Sequence, residues 1–496
     1  MHTVIYRLIQ SAALLTILFA SPLPTLPAAD PVKKQPNIIF IMADDLGYTD
    51  VASFGSKYYE TPNIDRLATQ GLKLLSHHHC QNCTPTRAAL MSGQYGARTG
   101  VYTVGGTDRF DWSRRPLRPV DNVTQLPLDR DIVAKPLKAA GYATAMFGKW
   151  HIGEQGDYHP SKRGFDEAVV TSGRHFNFEI HPPTPYPQDQ YLADFLTDKA
   201  VDFITRHREQ PFFLYLPHFG VHSPYQAKQD LVAKFQSKPG VEGHHNPTYA
   251  AMIYSVDESV GRVMKTLDEL QLSENTVLIF TSDNGGVGGY VREGIKQSGD
   301  VTDNTPLRSG KGSLYEGGTR VPFIARWPGV IPAGSVSEVP TIHVDVYPSL
   351  LELAGAKPPN HELDGESLIK LFRSPDTQLQ REAIFQHFPG YLGAGIDNWR
   401  TTPVSLIQAG DWKLMEFLED GRLELYNLRD DIGESKNQAV AMPEKTKQLH
   451  SKLVAWRAAV AAPMPTQNDG KAAPKPKRGG KGKGKGKGQA KGKAKA

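Results

Sequence analysis

Residues 37–47, "NIIFIMADDLG", contain the pattern that decides the fold. An unbroken apolar run from Ile38 to Ala43 ends abruptly at the acidic pair Asp44 and Asp45. Apolar runs of this kind are typical of strands that are covered on both faces, as in the parallel sheets of α/β proteins. Ligands of such sheets bind beyond the carboxyl ends of the strands, so the two aspartates are candidate site residues.

Three further stretches repeat this design, and each one changes from apolar to polar where its predicted strand ends. They are "YATAMFGKWHIG" (142–153), which ends at Lys149 and His151, "PFFLYLPHFGVHSP" (211–224), which ends near His218 and His222, and "TVLIFTSDNGG" (276–286), which ends at Asp283 and Asn284. Because the carboxyl ends of parallel strands share one edge of the sheet, we expect the four polar clusters to converge on one site.

Helical patterns lie between these strands, in the segments 61–74, 190–207 and 249–270. In the last segment, apolar side chains recur with the period of a helix face. They are Met252, Ile253, Val256, Val260 and Val263. Strands that alternate with helices predict an α/β fold, with a doubly wound, mixed but mostly parallel sheet flanked by helices.

The pattern changes after about residue 375. Residues 411–428, "DWKLMEFLEDGRLELYNL", predict a β-hairpin with a turn at Asp420 and Gly421. A helix is predicted from Pro443 to about Ala461. We therefore expect a catalytic domain over residues 30–375 and a smaller subdomain over residues 376–462, formed by an antiparallel sheet and one helix.

The first 29 residues have the features of a secretory signal peptide. Arg7 precedes an apolar run from Leu8 to Ala20, and small residues follow it. This run is too short and too interrupted to span a bilayer, and no other run is long enough. We therefore expect an exported protein, periplasmic or extracellular, without a transmembrane span.

Residues 463–496 are predicted to be a disordered basic tail, because alternating Gly and Lys residues cannot build a core. Eleven Lys and Arg residues and no acid follow Gly470, so a chain of net charge +5 has a net charge of −6 on residues 1–470. Such a tail suits contact with an anionic surface or polymer, and a solubilising role is equally compatible with it. The tail has no aromatic residues for base stacking, so specific nucleic-acid binding is not expected.

The pairs Asp44-Asp45 and Asp283-Asn284 form an all-oxygen set of potential metal ligands. Carboxylate and amide oxygens favour Ca²⁺ or Mg²⁺ over Zn²⁺. Either pair alone could instead cap a turn or a helix. Two such pairs, each at the end of a buried strand, favour a metal site.

Residues 77–87, "HHHCQNCTPTR", hold both cysteines of the chain, Cys80 and Cys83. Two cysteines in an exported chain of this size do not form a disulfide framework. Histidines beside a C-x-x-C pair raise the alternatives of zinc binding and thiol redox chemistry. Neither is favoured, because zinc would require both thiolates and the sequence lacks the strand–helix context of a redox motif. The three histidines are interpreted as a solvated or locally bonded run.

The residues after Cys83 carry a specific resemblance. The stretch Cys83-Thr84-Pro85-Thr86-Arg87 resembles the signature of the type I sulfatases, a formylglycine-dependent family of the alkaline phosphatase superfamily. In that family the signature cysteine is oxidised to formylglycine (3-oxoalanine), and Ser or Ala is common where this chain has Thr86. Further stretches between residues 35 and 460 resemble the family's motifs in the same order: "NIIFIMADDLGYTD" (37–50), "GKWHIG" (148–153), "VHSP" (221–224), "TSDNGG" (281–286), "LRSGKGSLYEGGTRVPFI" (307–324), and "GDWKLMEF" with "LELYNLRDDIGE" (410–434).

The resemblance implies a calcium centre and a modified nucleophile. One Ca²⁺, with Mg²⁺ less favoured, would be held by Asp44, Asp45, Asp283 and Asn284 together with the modified Cys83. One hydroxyl of the formylglycine hydrate, ionised with the help of the metal, would attack the sulfur of the substrate. The second hydroxyl would let the sulfated intermediate collapse and release sulfate, which a serine could not do.

The resemblance also implies which residues bind sulfate. Lys149, Lys311 and His222 would hold the sulfate oxygens and stabilise the charge of the leaving alkoxide. His222 would also protonate the leaving alcohol. His218 is the alternative to His222 within the same stretch and is expected behind the site.

The remaining implied roles concern the nucleophile and its surroundings. His151 would take a proton from the second hydroxyl, and Arg87, one helical turn beyond the cysteine, would hold the diol. Ser172, in "VTSGRHF", would contact sulfate as a serine does in some relatives. Cys80 is expected to have no part in the chemistry.

Together these expectations describe an exported, arylsulfatase-like sulfuric ester hydrolase that acts on sulfated carbohydrates, with aryl sulfates as artificial substrates. Its maturation partner would be a formylglycine-generating enzyme. Three alternatives stay open: a phosphate or phosphonate monoester hydrolase of the same superfamily, a non-catalytic protein that binds sulfated glycans, and an envelope- or nucleic-acid-binding protein that acts through the tail. Sugar selectivity is expected from aromatic and cationic residues of two rim loops, residues 105–119 and 387–400.

Overall fold

The computed structural model describes residues 35–295, 299–395 and 398–470. The predicted signal peptide, residues 1–29, lies outside the described residues. Of the tail predicted to be disordered, residues 471–496 also lie outside them, whereas residues 463–470 are described and include the short strand Thr466–Gln467. The strands are β1 (Asn37–Ala43), β2 (Leu72–Leu74), β3 (His77–His78), β4 (Leu117–Arg118), β5 (Ala143–Gly148), β6 (Glu167–Ser172), β7 (Glu179–His181), β8 (Phe212–Pro217), β9 (Thr276–Ser282), β10 (Phe323–Arg326), β11 (Ser335–Ser337), β12 (Thr341–Ile342), β13 (Ile384–Phe388), β14 (Leu392–Gly395), β15 (Asn398–Thr401), β16 (Val404–Ala409), β17 (Trp412–Phe417), β18 (Arg422–Asn427) and β19 (Thr466–Gln467).

The α-helices alternate with the strands in the first part of the chain, and the last helix follows strand β18. They are α1 (Pro62–Thr69), α2 (Cys83–Ser92), α3 (Gly96–Thr99), α4 (Ala134–Ala139), α5 (Leu192–Arg206), α6 (Gln229–Gln236), α7 (Pro247–Glu269), α8 (Glu316–Thr319), α9 (Val346–Ala354), α10 (Ile369–Arg373) and α11 (Pro443–Ala459). No helix among the described residues combines the length and the apolar character needed to cross a membrane.

A nine-stranded sheet forms the centre of the fold, in the order β11-β2-β10-β9-β1-β8-β5-β6-β7. The five pairs β11·β2, β9·β1, β1·β8, β8·β5 and β5·β6 are parallel. The other three pairs, β2·β10, β10·β9 and β6·β7, are antiparallel. The prediction of a mixed, mostly parallel α/β sheet is therefore confirmed, and the four predicted apolar strands are its adjacent members β9, β1, β8 and β5.

Both faces of this sheet are covered, which is why its central strands are apolar throughout. Side chains of β1 point alternately to the two faces. Ile39 and Ile41 belong to a core with α1, α5, α6 and α7, whereas Ile38, Phe40 and Met42 belong to a core with α2, α4, α9 and α10. The strand thus contributes apolar side chains to two separate cores.

One helix prediction extended too far. The segment 61–74 was expected to be helical, but α1 ends at Thr69 and Leu72–Leu74 forms β2, which pairs with β10 and β11. The reason lies at Gly71, where a Cβ atom would be only 2.3 Å from the carbonyl oxygen of Ala325. Glycine lets the chain pass this close to β10, so sheet pairing overrides the local apolar pattern.

A second, antiparallel sheet follows in the order β13-β16-β17-β18. Strands β17 and β18 are the predicted hairpin around Asp420 and Gly421. Helix α11 covers one face of this sheet, with Leu449 and Leu453 packed against apolar residues of β16, β17 and β18. The expected smaller antiparallel sheet with one helix is therefore confirmed, whereas the domain boundary at residue 375 stays a prediction.

Candidate active site

The candidate site lies at the carboxyl ends of the four central strands. Strand β1 pairs with β8 and β9 up to its last residues, Met42 opposite Pro217 and Ala43 opposite Ser282. Residues that follow these strands must therefore leave the sheet side by side. This alignment brings the polar ends of strands that are far apart in the sequence into one cluster.

Four of the predicted ligands form a buried group of potential metal-binding atoms. One atom each of Asp44, Asp45, Cys83 and Asp283 lies within 4.8 Å of the others, and all four residues are buried. Asn284 joins them, because its Nδ2 donates to Asp45 Oδ1 over 2.9 Å. Its Oδ1 is buried without a hydrogen-bond partner among the described residues. An unpaired amide oxygen beside three carboxylates fits a hard divalent cation such as Ca²⁺.

Cys83 is the first residue of α2, where the helix dipole favours negative charge. Its Sγ lies 3.4 Å from Asp44 Oδ1 and 3.9 Å from Asp45 Oδ1. Pro85 fits the first turn of this helix, where a missing N–H leaves no intrahelical bond unmade. Burial, and then the negative charges of Asp283 and Asp44, raise the pKa of the Cys83 thiol. The unmodified side chain is therefore a protonated thiol and a poor nucleophile.

Arg87 lies one turn after Cys83 on the same helix and is fully buried. Its Nε and one terminal nitrogen donate to Asp283 Oδ2 over 3.2 and 2.8 Å, and its other terminal nitrogen donates to the carbonyl oxygen of Lys149 over 2.6 Å. Burial acts to lower the pKa of Arg87, but Asp283 and other neighbours outweigh it and raise that pKa. Arg87 therefore fastens the helix that carries the cysteine to the carboxyl ends of two strands.

Two lysines complete the charge balance of the cluster. Lys149 Nζ forms an ion pair with Asp44, and Lys311 Nζ lies 2.5 Å from Asp45 Oδ1. Burial acts to raise the pKa of Asp45, but Lys311, His222 and Lys149 outweigh it and lower that pKa. Burial acts to lower the pKa of each lysine, but the nearby carboxylates raise both. The lysines therefore stay charged in a closely packed, largely buried site.

The cations beside Asp283 do not offset the cost of burying its negative charge. Its pKa is raised to about 6 by burial and by the charge of Asp44, although Arg87 and Lys149 act in the opposite direction. A divalent cation favours the ionised form of its ligands. The raised pKa of Asp283 is therefore a second observation, after the unpaired Oδ1 of Asn284, that fits a bound metal.

The histidines of the site have separate positions. His222 Nε2 lies 3.7 Å from Asp45 Oδ2, whereas His218 Nε2 contacts Ser259 Oγ at 3.0 Å, behind the site. His151 has a left-handed backbone (φ 62°), and its Nδ1 is buried without a hydrogen-bond partner among the described residues. Burial, and then the charges of Lys149 and other nearby cations, lower the pKa of His151 well below its usual value. A neutral imidazole with a free ring nitrogen is suited to accept a proton.

Ser172 lies at the last position of β6, at the same edge of the sheet, but the two strands β8 and β5 separate β6 from β1. Among the described residues, its side chain has no hydrogen bond to the cluster. The predicted sulfate contact of Ser172 therefore stays a prediction.

The histidine run is not solvated, which corrects one of the two interpretations of residues 77–79. All three side chains are buried. The other interpretation, local bonding, agrees with two contacts: His77 Nε2 lies 2.9 Å from His79 Nε2, and His78 Nε2 lies 3.0 Å from Glu316 Oε2. His77 and His78 form the buried strand β3, which pairs with β12. Cys80 Sγ lies 3.5 Å from His343 Nε2, outside the carboxylate cluster.

The sequence analysis did not predict a network of charged residues that holds residues 314–316, shortly after Lys311. Lys413 of β17 is 1% exposed and donates from Nζ to Glu316 Oε1 and to the carbonyl oxygen of Leu314, each over 2.8 Å. The same ammonium lies 2.8 Å from Glu434 Oε1. Glu316 also accepts from Arg320 Nε over 2.6 Å. No local pattern predicts the contacts of Lys413 with Leu314 and Glu316, because these partners lie about a hundred residues before it in the chain.

The conformation of Gly148 positions Lys149, and this gives a first prediction. Gly148 has φ 136°, and a Cβ atom there would lie 1.9 Å from the carbonyl oxygen of Pro217. We expect Gly148→Ala to lower the free energy of unfolding by more than about 3 kcal/mol, because strain and a backbone clash add. Gly141 is the matched control, since it has φ 94° with open space around it.

Gly141→Ala is expected to lower the free energy of unfolding by only about 1–2 kcal/mol, because it adds strain without a clash. Denaturant unfolding of both variants measures the difference. Equal losses in the two variants would contradict the proposed close approach of β5 and β8.

Comparisons with known proteins cover most of the chain. A family model described as Sulfatase matches residues 36–356, and one described as N-sulphoglucosamine sulphohydrolase, C-terminal, matches residues 310–459. A sulfatase of Formosa agariphila is 35% identical, over 89% of this chain and 92% of that protein. The N-acetylgalactosamine-6-sulfatase of Sus scrofa is 33% identical, over 72% of this chain and 69% of that protein. The crystal structure of Ps i-CgsB in complex with k-i-k-neocarrahexaose is 31% identical with a TM-score of 0.71, and covers 85% of this chain and 93% of that chain.

Proposed function

Because the chain belongs to the sulfatase family of the alkaline phosphatase superfamily and is a sulfuric ester hydrolase, we propose that its substrates are sulfated carbohydrates. The observation that most supports hydrolysis of a sulfate ester at this site is the pairing of a buried acidic cluster with three cations, Arg87, Lys149 and Lys311. The acids suit a metal, and the two lysines offer positive charge to a sulfate group.

The metal that fits these residues is one Ca²⁺. Asp44, Asp45, Asp283 and Asn284 offer hard oxygen ligands, and the unpaired Oδ1 of Asn284 supports an oxygen-binding cation over zinc. When bound, the ion would act as a Lewis acid that ionises a hydroxyl and orients the sulfate. Mg²⁺ is less favoured, because it prefers fewer protein ligands in strict octahedral geometry.

Cys83 is proposed to be converted to formylglycine by a formylglycine-generating enzyme. An unmodified Cys83 would be a poor nucleophile, because burial and then the charges of Asp283 and Asp44 raise the pKa of its thiol. In its hydrated form the modified side chain would supply the nucleophilic oxygen. Arg87, at the next helical turn, would fix its position through Asp283.

The remaining residues bind the substrate and move protons. Lys149 and Lys311 would balance the charge of the sulfate group when it takes its place beside the carboxylates. His222 Nε2 faces Asp45 at 3.7 Å and would donate a proton to the leaving alcohol. His151 would accept the proton whose loss releases sulfate through its buried Nδ1, which has no hydrogen-bond partner among the described residues.

A sulfated carbohydrate is proposed as the substrate on the basis of relatives. One similar protein is named for a sulfated amino sugar, N-acetylgalactosamine-6-sulfate, and one similar structure holds a neocarrahexaose. We further propose that residues 1–29 direct export to the periplasm or the outside of the cell, and that residues 376–462 act as a separate subdomain. The basic tail is proposed to contact an anionic partner.

Metal removal and replacement test this function. Protein that has been produced together with a formylglycine-generating enzyme is stripped with a chelator and assayed with the sulfate and the phosphate ester of 4-nitrophenol. We expect chelation to lower sulfate hydrolysis roughly 10²-fold or more, because a bound cation contributes several kcal/mol to transition-state stabilisation. Added Ca²⁺ should restore activity better than Mg²⁺ or Zn²⁺, with kcat/KM larger for the sulfate than for the phosphate.

The other outcomes separate the alternatives. A larger kcat/KM for the phosphate ester would favour the phosphate or phosphonate monoester hydrolase. Best recovery with Zn²⁺ would contradict the calcium assignment. A fully modified protein that hydrolyses neither ester but binds sulfated glycans would be the non-catalytic binding protein.

A further inference from the structure

The loop that follows β6 contacts the active site through His175, three residues after Ser172. His175 lies in the stretch "VTSGRHF" (170–176), in which the sequence analysis singled out the serine. Its side chain is 1% exposed, and its Nε2 donates to the carbonyl oxygen of His222 over 2.8 Å. A buried histidine of this loop therefore holds the backbone of the residue that is proposed to protonate the leaving alcohol.

Contacts with two neighbouring segments fix the position of His175. Its backbone N–H donates to Gln226 Oε1 over 3.1 Å, and its carbonyl oxygen accepts from the N–H of Leu192, the first residue of α5, over 2.9 Å. Its ring lies at 19° to that of Tyr191, with 5.8 Å between the ring centres. Burial lowers the pKa of His175 to about 4, so the ring is neutral and its single N–H is the one at Nε2. His175 is therefore a hydrogen-bond donor held in place on both sides.

Backbone hydrogen bonds connect the segment after β8 with the end of β1 and then with this loop. The N–H of Val221 donates to the carbonyl oxygen of Asp44 over 2.7 Å. The N–H of the next residue, His222, bonds within the segment, to the carbonyl oxygen of Phe219 over 3.0 Å. Because the carbonyl oxygen of His222 accepts from His175, the loop after β6 anchors this segment where its backbone bonding to β1 has ended.

The ring of His222 needs such an anchor, because packing does not enclose it. Its side chain is 28% exposed. Its Nδ1 donates to the carbonyl oxygen of Ser223 over 2.6 Å, so Nε2 is the nitrogen that faces Asp45 Oδ2, at 3.7 Å. The direction of Nε2 therefore depends on where the backbone of residues 222 and 223 lies.

The ring of Phe219 lies beside His175, His222 and Lys149. Its centre is 5.1 Å from the ring centre of His175 and 5.2 Å from that of His222. Lys149 Nζ lies 5.5 Å from the same centre. Loss of the ring at position 175 would therefore disturb the sulfate-binding lysine as well as His222, so a test of the hydrogen bond needs a variant that keeps an aromatic ring.

We propose that His175 is a positioning residue for His222, which it holds so that Nε2 can donate its proton to the leaving oxygen of the substrate. This inference rests on the proposed function. When the sulfur–oxygen bond breaks, its electron pair stays on the leaving oxygen, which takes the proton from His222 Nε2, while the sulfuryl group passes to the nucleophile at residue 83. His175 acts through His222 and takes no part in the proton transfer itself.

The test uses Ca²⁺-loaded protein that is modified at Cys83, with 4-nitrophenyl sulfate and phenyl sulfate as substrates. Phenol is a weaker acid than 4-nitrophenol, so its departure depends more on a proton donor. His175→Phe keeps an aromatic ring but removes the hydrogen-bond donor, whereas His175→Gln keeps a donor nitrogen that can reach the same oxygen. The values of kcat/KM are compared, because they report cleavage of the sulfate ester and not the later release of sulfate.

We expect the ratio of the two kcat/KM values, phenyl sulfate over 4-nitrophenyl sulfate, to fall roughly tenfold or more in His175→Phe. The physical reason is that a well-placed proton donor contributes roughly 10²–10⁴-fold, much of which is lost when it is displaced by about 1 Å. In His175→Gln the ratio should stay within about twofold of the parent value, because the hydrogen bond to His222 is kept.

His222→Ala is the reference for complete loss of the proton donor, and it should lower the ratio at least as much as His175→Phe does. Adding His175→Phe to His222→Ala should lower the ratio no further, because His175 acts through His222. A further fall in the double variant would mean that the effect reaches the leaving group by another path, such as Phe219 and Lys149, and would overturn the proposal.

The remaining outcomes separate this inference from the proposed function. Equal losses for the two substrates in His175→Phe would mean a purely structural role for His175, and the inference would fail alone. An unchanged ratio in His222→Ala, or a parent protein that hydrolyses neither ester, would instead contradict the proposed function. If thermal unfolding shows that His175→Phe does not fold, His175→Asn takes its place, since its shorter amide brings no donor to the carbonyl oxygen of His222.

Discussion

Replacing Cys83 with alanine is expected to lower kcat for sulfate ester hydrolysis by roughly 10⁴-fold or more, as the loss of a covalent nucleophile does in other enzymes. The variant retains four of the five proposed metal ligands, Asp44, Asp45, Asp283 and Asn284, and a methyl group fits where the thiol lies. Substrate binding should therefore survive, so that the loss appears in kcat rather than in KM.

Cys83→Ser is expected to separate the two halves of the reaction. A serine hydroxyl beside Asp44 could still accept a sulfuryl group, but it lacks the second hydroxyl needed to release sulfate. The variant should therefore accumulate a stable sulfate ester on residue 83, which intact-protein mass spectrometry detects as one added sulfuryl group after incubation with an aryl sulfate. In the parent protein the same peptide should contain an aldehyde or its hydrate.

Cys80→Ala is the matched control for both variants. Cys80 is the other cysteine of the chain, is half-buried, and contacts His343 instead of the carboxylates. Its replacement should leave the kcat of aryl sulfate hydrolysis within about twofold of the parent value, since surface and bystander changes rarely exceed ±0.5 kcal/mol. Full activity of a protein whose Cys83 remains an unmodified thiol would contradict the proposed mechanism.

The central sheet could be predicted because its signal is local. An apolar run that ends in a polar pair indicates both a buried strand and the position of its carboxyl end. Such runs precede Asp44, Lys149, His222 and Asp283. Parallel pairing then brings these ends together without further information. The hairpin of β17 and β18 was equally local, since its turn residues lie between two short apolar runs.

Other features depend on contacts between distant segments and have no local signal. The end of α1 is set by the close passage of Gly71 along β10, and the burial of His77 by pairing of β3 with β12. The directions of two histidine rings also have no local signal: His218 points towards Ser259, and His222 points towards Asp45. Residue type and spacing do not encode these directions.

The Lys413 network belongs to this second class and gives the prediction with the largest expected effect on stability. Lys413→Met removes the ammonium that faces Glu316 and Glu434, both fully buried. Loss of one partner of a buried ion pair leaves an uncompensated charge and is expected to lower the free energy of unfolding by about 3–5 kcal/mol. Guanidinium-induced unfolding measures this loss, with Lys447→Met on the exposed side of α11 as the matched control.

A second variant distinguishes uncompensated charge from lost packing. Lys413, Arg320, Glu316 and Glu434 together are formally neutral, and Glu434 has its pKa raised to about 7 by burial, although Lys413 acts to lower it. Lys413→Met combined with Glu434→Gln restores neutrality, so it should recover roughly 1–3 kcal/mol relative to Lys413→Met alone. No recovery would mean that the loss comes from packing.

The same network explains why a sheet remote from the chemistry should affect turnover. Lys413 holds the carbonyl oxygen of Leu314 and the side chain of Glu316, three and five residues after Lys311. If this segment moves by about 1 Å in folded Lys413→Met protein, kcat/KM should fall roughly 10²-fold, because a catalytic group displaced by about 1 Å no longer has the geometry that the reaction requires. Assays well below the unfolding midpoint separate this loss from unfolding. A folded variant with the parent kcat/KM would restrict the network to a role in stability, since Lys311 would then keep its position beside Asp45 without support from the second sheet.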